Sequence, residues 1–238
     1  TYPDWRIKAE NVASLISDRT KAIVIGSPAN PTGAVASAAE FKSLAAELQK
    51  AQCPFPIVAV ADEIYSAFCY DTPFYSFADF YQPTLVLGGF SKSHAMTGWR
   101  VGYAAGPEEL VQAMTKFQQF TFVCAPAPFQ AAAAAALQID MSAAIDSYRR
   151  KRDFIFDGLC RLGYRAVRPG GAFYIFPEAP NGDSRRFVER CLAHELLVIP
   201  GDVFSERASH FRLSYAASEA TLARGLEILG RLACHSSS

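Results

Sequence analysis

Residues 88–103 are Gly-Gly-Phe-Ser-Lys-Ser-His-Ala-Met-Thr-Gly-Trp-Arg-Val-Gly-Tyr. The lysine of this stretch, Lys92, follows an apolar segment that ends at Gly89 and is typical of a buried strand leaving a sheet. At a strand end a lysine is partly desolvated, which favours the neutral amine that forms a Schiff base with a carbonyl. Taken alone, Lys92 is more typical of a surface lysine in a loop. The neighbouring motifs favour a lysine that forms a Schiff base.

Two apolar runs upstream of this stretch also end in polar side chains. The run 22–27 leads to Asn30, and the run 57–61 leads to Asp62 and Tyr65. A helical pattern separates the two runs, and a strand–helix–strand unit favours a parallel sheet. In open α/β sheets, ligands bind outside the carboxyl ends of the strands. We therefore expect one pocket lined by Asn30, Asp62, Tyr65, Lys92 and Arg100.

Five short motifs, in a fixed order along the chain, carry a resemblance to a known family. They are Asn30-Pro31-Thr32-Gly33, Asp62-Glu63-Ile64-Tyr65, Ser91-Lys92 with Gly98-Trp99-Arg100, Pro169-Gly170-Gly171-Ala172-Phe173-Tyr174, and Phe211-Arg212-Leu213-Ser214. The chain resembles the class I/II aminotransferases, which belong to the aspartate-aminotransferase superfamily of fold type I pyridoxal-phosphate enzymes. Each motif is common by itself, whereas five in the family's order are specific.

The resemblance implies an α/β fold with two parts. We expect a three-layer α/β/α large domain with a mostly parallel sheet, which binds the cofactor, over residues 1–145. A smaller α+β C-terminal domain is expected over residues 146–238. The pattern also predicts a helix over residues 40–50, a strand over 100–105 after the lysine, and a strand over 164–167.

The resemblance also implies a function. We expect a pyridoxal 5′-phosphate-dependent aminotransferase that transfers an amino group between an amino acid and a 2-oxo acid through a Schiff base on Lys92. Lys92 would also shuttle the substrate proton, and Asp62 would keep the pyridine nitrogen protonated, because a nearby negative charge favours the charged form. The protonated ring is the electron sink of the reaction. The predicted catalytic residues are Lys92, Asp62 and Tyr65.

Binding roles follow from the same resemblance. Tyr65 and Asn30 would hydrogen-bond the phenolic oxygen of the cofactor, and Arg100 would contact its phosphate through paired charge-assisted bonds. Arg212 would receive the α-carboxylate of the substrate in the same geometry. The predicted cofactor-binding residues are Asn30, Asp62, Tyr65, Ser91, Lys92 and Arg100, and the predicted substrate-binding residues are Arg212 and Asn30.

Each of these residues has a structural alternative. The Asn30 motif is also an ordinary turn sequence, and Asp62 would serve as the N-cap of a following helix. Tyr65 alone is more typical of a packed aromatic residue, and Arg212 of a solvated residue in an alternating strand. His94, two residues after the lysine, is more typical of a packing or surface position than of catalysis.

The sequence departs from the family pattern in two ways. Many members have a phosphate-contacting serine or threonine three residues before the lysine, where this chain has Gly89, which leaves Ser91 as the nearest hydroxyl. The N-terminal third of the family has no counterpart here, so we expect a piece of a longer polypeptide. Two alternatives are a catalytically incomplete or regulatory cofactor-binding domain, and a related lyase on the same scaffold.

Composition limits the class of partner. Hydrophobic residues make up 50% of the 238 residues, charged residues make up 19%, and the formal net charge is zero. This balance argues against nucleic acid or an anionic membrane as the main partner. We expect small-molecule substrates and, from the family, a homodimer. The densest basic run, residues 149–152, is predicted to be a solvated helix face.

The six cysteines are scattered along the chain. They form no Cys-x-x-Cys pair, and no histidine stands at metal-ligand spacing, so no metal site is predicted. Cysteines used in this way are typical of reduced thiols in an intracellular protein. The default prediction is therefore a cytoplasmic location.

Overall fold

The computed structural model describes residues 2–234, which form two compact units. The sheet unit comprises residues 2–28 and 35–141, and the C-terminal unit comprises residues 29–34 and 142–234. A short loop from the first part of the chain therefore belongs to the C-terminal unit. The predicted domain boundary after residue 145 stays a prediction.

The sheet unit contains four strands, which pair in chain order. Its elements are α1 (Ala9–Ala13), β1 (Ala22–Gly26), α2 (Ala38–Lys50), β2 (Val58–Asp62), β3 (Thr84–Gly89), β4 (Gly102–Ala105), α3 (Glu108–Gln119) and α4 (Ala127–Ala136). Strands β1, β2 and β3 pair in parallel, and β4 pairs antiparallel with β3. The predicted α/β class with a mostly parallel sheet is confirmed.

Helix α2 begins two residues earlier than predicted because Ser37 caps it. The Ser37 hydroxyl accepts the N–H of Glu40 at 3.3 Å, and the Glu40 carboxylate accepts the N–H of Ser37 at 2.8 Å. This reciprocal arrangement satisfies two donors that the first helical turn leaves unpaired. The buried residues of the helix recur every three or four positions and join the core that covers the sheet; they are Phe41, Leu44, Ala45 and Leu48.

The parallel register brings the carboxyl ends of β1 and β2 level, and β3 continues two residues further to Gly89. Gly26 pairs with Asp62, and Asp62 pairs with Leu87. The ladder continues for one more residue, since the N–H of Glu63 donates to the Leu87 carbonyl at 2.9 Å. Asp62 therefore lies at the edge of the sheet where ligands bind in open α/β folds.

Strands β3 and β4 are joined by the lysine loop, residues 90–101. Gly89 pairs with Gly102, and a Cβ on Gly89 would lie 3.1 Å from the Gly102 Cα, so this close approach favours glycine where the family pattern has a hydroxyl. Strand β4 begins at Gly102 rather than at residue 100, because Arg100 has a left-handed backbone with φ of 55°.

The C-terminal unit contains a small antiparallel sheet in the order β5-β7-β6 and three long helices. Its elements are α5 (Ser142–Arg161), β5 (Tyr174–Ile175), α6 (Ser184–Ala193), β6 (Ile199–Pro200), β7 (Phe211–Ser214) and α7 (Glu219–Cys234). The predicted strand over residues 164–167 is wrong, because this segment is irregular and pairs with no strand in the described part of the chain. Its backbone bonds run from Tyr164 N–H to the Leu159 carbonyl and from Glu178 N–H to the Arg165 carbonyl. Among the helices within residues 2–234, none is long and apolar enough to cross a membrane.

Helix α5 buries an arginine on its apolar face. Arg152 has 1% of its surface exposed, and it shares this face with the buried residues Ile155 and Leu159. The prediction that the basic run is a solvated helix face is therefore wrong at this position. The spacing of three and seven residues places all three side chains on one side of the helix.

The loop of residues 29–34, named here the Asn30 loop, is bonded to itself and to a second loop. The N–H of Gly33 donates to the Ala29 carbonyl at 2.8 Å. The carbonyl of Gly33 accepts the N–H groups of Gly170 and Gly171, both at 2.9 Å. These bonds explain why the Asn30 loop belongs to the C-terminal unit.

We predict that Gly33→Ala lowers the free energy of unfolding more than Gly163→Ala does. Both glycines have left-handed backbones, with φ of 68° and 84°, where alanine is strained by about 1–2 kcal/mol. At Gly33 the new Cβ would also lie 2.5 Å from the Cβ of Pro169, whereas at Gly163 it would meet open space. Denaturant unfolding of both variants measures the difference. Equal losses would contradict a tightly packed Asn30 loop.

Candidate active site

Asp62 presents an exposed carboxylate at the end of β2. Its Oδ1 accepts the N–H of Ile64 at 3.2 Å, which turns the chain away from the strand. The described residues that follow, 63–70, form a turn and no helix, so the alternative in which Asp62 caps a helix is wrong. A carboxylate held in this way can pair with a cationic group outside the sheet edge.

The neighbouring residue, Glu63, fixes this turn from its buried side. Its carboxylate accepts the Ser76 hydroxyl at 2.6 Å and the N–H of Phe77 at 3.3 Å. Burial raises the pKa of the Glu63 carboxyl above its ordinary value, against the lowering effect of these two hydrogen bonds, and the charge of Asp79 adds to the rise. The turn that follows Asp62 is thus tied to the segment that precedes β3.

Tyr65 follows in the same turn and is buried, with 6% of its surface exposed. Its backbone carbonyl accepts the N–H of Phe68 at 2.8 Å. This burial agrees with a packed aromatic residue, and a chemical role for the Tyr65 hydroxyl stays a prediction.

Lys92 lies half-buried in the first turn of the lysine loop. The carbonyl of Phe90 accepts the N–H of His94 at 3.1 Å. A second bond also spans the lysine, since the carbonyl of Ser91 accepts the hydroxyl of Thr97 at 2.8 Å. The loop is therefore bonded to itself around the lysine, which restricts the backbone that carries the amine.

Arg100 lies at the far end of the lysine loop and is exposed. Its Nη1 donates to the carbonyl of Thr97 at 3.1 Å. His94, between the two cationic residues, has its Nδ1 within 2.8 Å of the Ser93 hydroxyl and its ring 5.6 Å from that of Phe90. These contacts agree with a packing position for His94.

In the C-terminal unit, Arg212 and Asn30 are hydrogen-bonded although they stand far apart in sequence. The Arg212 Nη1 donates to the Asn30 Oδ1 at 2.9 Å. The guanidinium lies between two aromatic rings, 4.5 Å from the centre of Tyr174 and 4.7 Å from that of Phe204. Arg212 is thus held in place rather than merely solvated, and its edge presents N–H donors to a carboxylate.

The predicted site residues are divided between the two units. The sheet unit holds Asp62, Tyr65, Ser91, Lys92 and Arg100, and the C-terminal unit holds Asn30 and Arg212. The expectation that both groups converge on one pocket stays a prediction.

Sequence reasoning missed three side chains that hold these groups in place: Glu63, Tyr174 and Phe204. Glu63 and Tyr174 stand inside two of the motifs, so their positions were visible in the sequence although their contacts were not. Phe204 follows Pro200-Gly201, a common turn signal that does not single out an aromatic residue. The contacts of Glu63 with Ser76 and of Tyr174 with Arg212 join segments that are distant along the chain, and no local pattern shows them.

A model of the family described as aminotransferase class I and II matches residues 1–229. The chain belongs to this family. It is 38% identical, over 234 residues, to an aspartate/prephenate aminotransferase of Thermus thermophilus, covering 94% of this chain and 59% of that protein. The chain spans 57–62% of the length of three curated relatives that it matches.

Solved aminotransferase structures have the same fold. An aromatic aminotransferase of Pyrococcus horikoshii matches with a TM-score of 0.90 and 32% identity, over 96% of this chain and 64% of that one. A Thermus thermophilus aspartate aminotransferase with maleate matches with a TM-score of 0.86 and 36% identity, over 95% and 60%. The predicted fold type I architecture is confirmed.

We predict that Glu63→Gln changes how stability depends on pH. The folded pKa of Glu63 is raised, so the folded state binds more protons than the unfolded state between the ordinary and the raised value. The contribution of Glu63 to stability is therefore present below its ordinary pKa and is lost as pH rises through the folded pKa. Glutamine keeps an oxygen acceptor and carries no charge. The free energy of unfolding of the wild type, minus that of the variant, should fall as pH rises.

Denaturant unfolding at a series of pH values measures this difference. The control is Glu109→Gln, which removes an exposed carboxylate from α3 in the same unit. A difference between wild type and Glu63→Gln that stayed constant with pH would contradict a half-buried carboxyl with a raised pKa.

Proposed function

We propose that this protein is a pyridoxal 5′-phosphate-dependent aminotransferase that transfers an amino group between an amino acid and a 2-oxo acid. The observation that carries the proposal is the carboxyl edge of the parallel sheet, where Asp62 ends β2 and the lysine loop leaves β3. Membership of the class I and II aminotransferase family supports it.

The side chains at this edge fit the chemistry of pyridoxal phosphate. The exposed carboxylate of Asp62 suits a protonated pyridine nitrogen, and the half-buried amine of Lys92 suits an aldehyde. The exposed guanidinium of Arg100 and the hydroxyl of Ser91 suit a phosphate. When bound, the cofactor supplies the electron sink that stabilises negative charge on the Cα of the substrate.

Each side chain would then have a defined role. Lys92 would hold the cofactor and would carry the proton to and from the substrate Cα. Asp62 keeps the ring nitrogen protonated through its negative charge. Tyr65 and Asn30 donate hydrogen bonds to the phenolic oxygen. The amide N–H groups of Asn30 suit this role because its Oδ1 already accepts from Arg212.

Arg212 is proposed to receive the α-carboxylate of the substrate. Within the described residues, one of its five N–H donors is bonded, to Asn30, so the rest of the planar fork can bind a carboxylate in two parallel bonds. Stacking between Tyr174 and Phe204 orients the guanidinium before the substrate arrives. Less conformational freedom is then lost on binding.

The proposed substrate is defined by its amino and carboxylate groups and not by its side chain. The relatives described above carry aspartate, prephenate and aromatic compounds in their names at similar levels of identity. Arg212 recognises the part of the molecule that all amino acids share. We also propose a homodimer with small-molecule partners in the cytoplasm, on the family resemblance and the cysteine usage.

We predict that Lys92→Ala abolishes the visible absorption band that the protein forms with added pyridoxal phosphate. Loss of the amine removes both the covalent attachment and the proton carrier, so transamination should fall by at least about 100-fold. The measurement is the absorption spectrum of the purified protein, with and without amino acids. In the wild type, an amino-acid substrate should bleach the band.

The matched control is Lys42→Ala, which removes an exposed lysine from α2 in the same unit and should keep the band. A band that survived in Lys92→Ala would contradict the assignment of Lys92. The absence of any band in the wild type would favour the alternative of a catalytically incomplete domain.

We predict that Arg212→Ala raises the KM for the amino acid about 10- to 100-fold, because hydrogen bonds to a charged group contribute about 1.5–3 kcal/mol. Affinity for pyridoxal phosphate should change little. Steady-state kinetics with L-aspartate and 2-oxoglutarate, followed by other amino acids, measure the effect. The control is Arg186→Ala, an exposed arginine of α6. An unchanged KM would remove Arg212 from the substrate site.

A further inference from the structure

The buried Arg152 of α5 has contacts that the proposed reaction does not use. Its Nη1 donates to the carbonyl of Pro169 at 3.1 Å, and its Nε donates to the Asp153 carboxylate at 2.8 Å. Arginine is rarely buried to this extent without a specific partner. Its position inside a helix face of apolar residues therefore needs a reason beyond packing.

The segment that Arg152 holds is the loop of residues 169–172, which precedes β5. The carbonyl of Pro169 accepts from Arg152, and the carbonyl of Ala172 accepts from the Tyr215 hydroxyl at 3.1 Å. Between these two anchors, the N–H groups of Gly170 and Gly171 both donate to the Gly33 carbonyl. The loop is thus fixed at both ends with its two middle amides directed at the Asn30 loop.

The Asn30 loop in turn carries the partner of Arg212. Gly33 is held by the two glycine amides and bonds back to Ala29, the residue next to Asn30. Asn30 then accepts the Nη1 of Arg212. A continuous series of hydrogen bonds and covalent neighbours therefore connects Arg152 to the guanidinium that is proposed to bind the substrate carboxylate.

We infer that Arg152 is a positioning residue for substrate binding: through the 169–172 loop it sets the place of Asn30 and hence the orientation of Arg212. This inference rests on the proposed role of Arg212. A small displacement of a positioning group raises the free energy of the bound state, because a carboxylate and a guanidinium need matched geometry for two bonds. Arg152 itself touches neither substrate nor cofactor.

The surroundings of Arg152 should allow the protein to fold when this arginine is replaced by methionine. Asp153 keeps a second partner, because Arg168 donates to the same carboxylate oxygen at 2.6 Å. Burial by itself would raise the pKa of the Asp153 carboxyl, but the hydrogen bonds and charges of Arg168 and Arg152 lower it below its ordinary value. Arg152→Met keeps the length of the apolar stem and leaves Asp153 paired with Arg168.

The test compares Arg152→Met, Arg152→Lys and the control Arg161→Met in the protein loaded with pyridoxal phosphate. Arg161 lies on the same helix and is exposed. Arg152→Met should raise the KM for L-aspartate about tenfold with kcat within about twofold, and Arg152→Lys should restore part of the affinity. Arg161→Met should match the wild type. An unchanged KM in folded Arg152→Met would overturn the inference.

Coupling to Asn30 separates a positioning role from a general loss of stability. Since Arg152 acts through Asn30, the rise in KM caused by Arg152→Lys should disappear in an Asn30→Ala background. Effects that add would overturn the inference. Arg152→Lys retains the positive charge. The combination of Arg152→Lys with Asn30→Ala therefore tests the positioning role even if Arg152→Met does not fold.

Hydrogen exchange gives a readout that does not depend on activity. The amides of Gly170 and Gly171 should exchange faster in Arg152→Met than in Arg161→Met, and equal rates would overturn the inference. Arg212→Ala distinguishes a failure of the proposed carboxylate site from a failure of the positioning role of Arg152. If it leaves KM unchanged, the proposed carboxylate site fails, while a raised KM in Arg212→Ala with no effect of Arg152→Met refutes the positioning role alone.

Discussion

The register of the three parallel strands is the constraint on which the sheet unit depends. Asp62 pairs with Gly26 on one side and with Leu87 on the other, so β1 and β2 end at one level and β3 continues two residues further. A slip of one residue would turn each side chain to the opposite face of the sheet. The turn after β2 and the loop after β3 leave from this edge, and they carry the carboxylate and the lysine on which the proposed chemistry rests.

Half-buried Glu63 and buried Arg152 hold loops that the sheet itself does not order. Glu63 ties the turn after β2 to the segment before β3 through Ser76 and Phe77. Arg152 ties a helix to the loop that begins at Pro169. A buried polar group that loses its partner costs more free energy than an exposed one, so these bonds restrict their loops more strongly than surface contacts do.

Contacts from several residues also restrict the conformation of Arg212 in the proposed carboxylate site. Arg212 is stacked between Tyr174 and Phe204 and is bonded to Asn30 at its edge. An arginine in solution has many rotamers, and ordering it on binding weakens affinity. Here the protein orders the guanidinium before the substrate binds. The Asn30 loop that contacts it is packed too closely to admit a side chain at Gly33.

The sequence by itself determined the α/β class, the parallel strands, the amphipathic helix between them and the family, because periodicity, turn residues and short motifs are local properties. It also singled out Asp62, Lys92 and Arg212 as chemically competent groups. Only the tertiary structure decided that Arg212 bonds Asn30, that Arg152 is buried rather than solvated, and that residues 164–167 form no strand. These outcomes depend on which distant segments pack together, since burial and pairing are set by partners that no local pattern specifies.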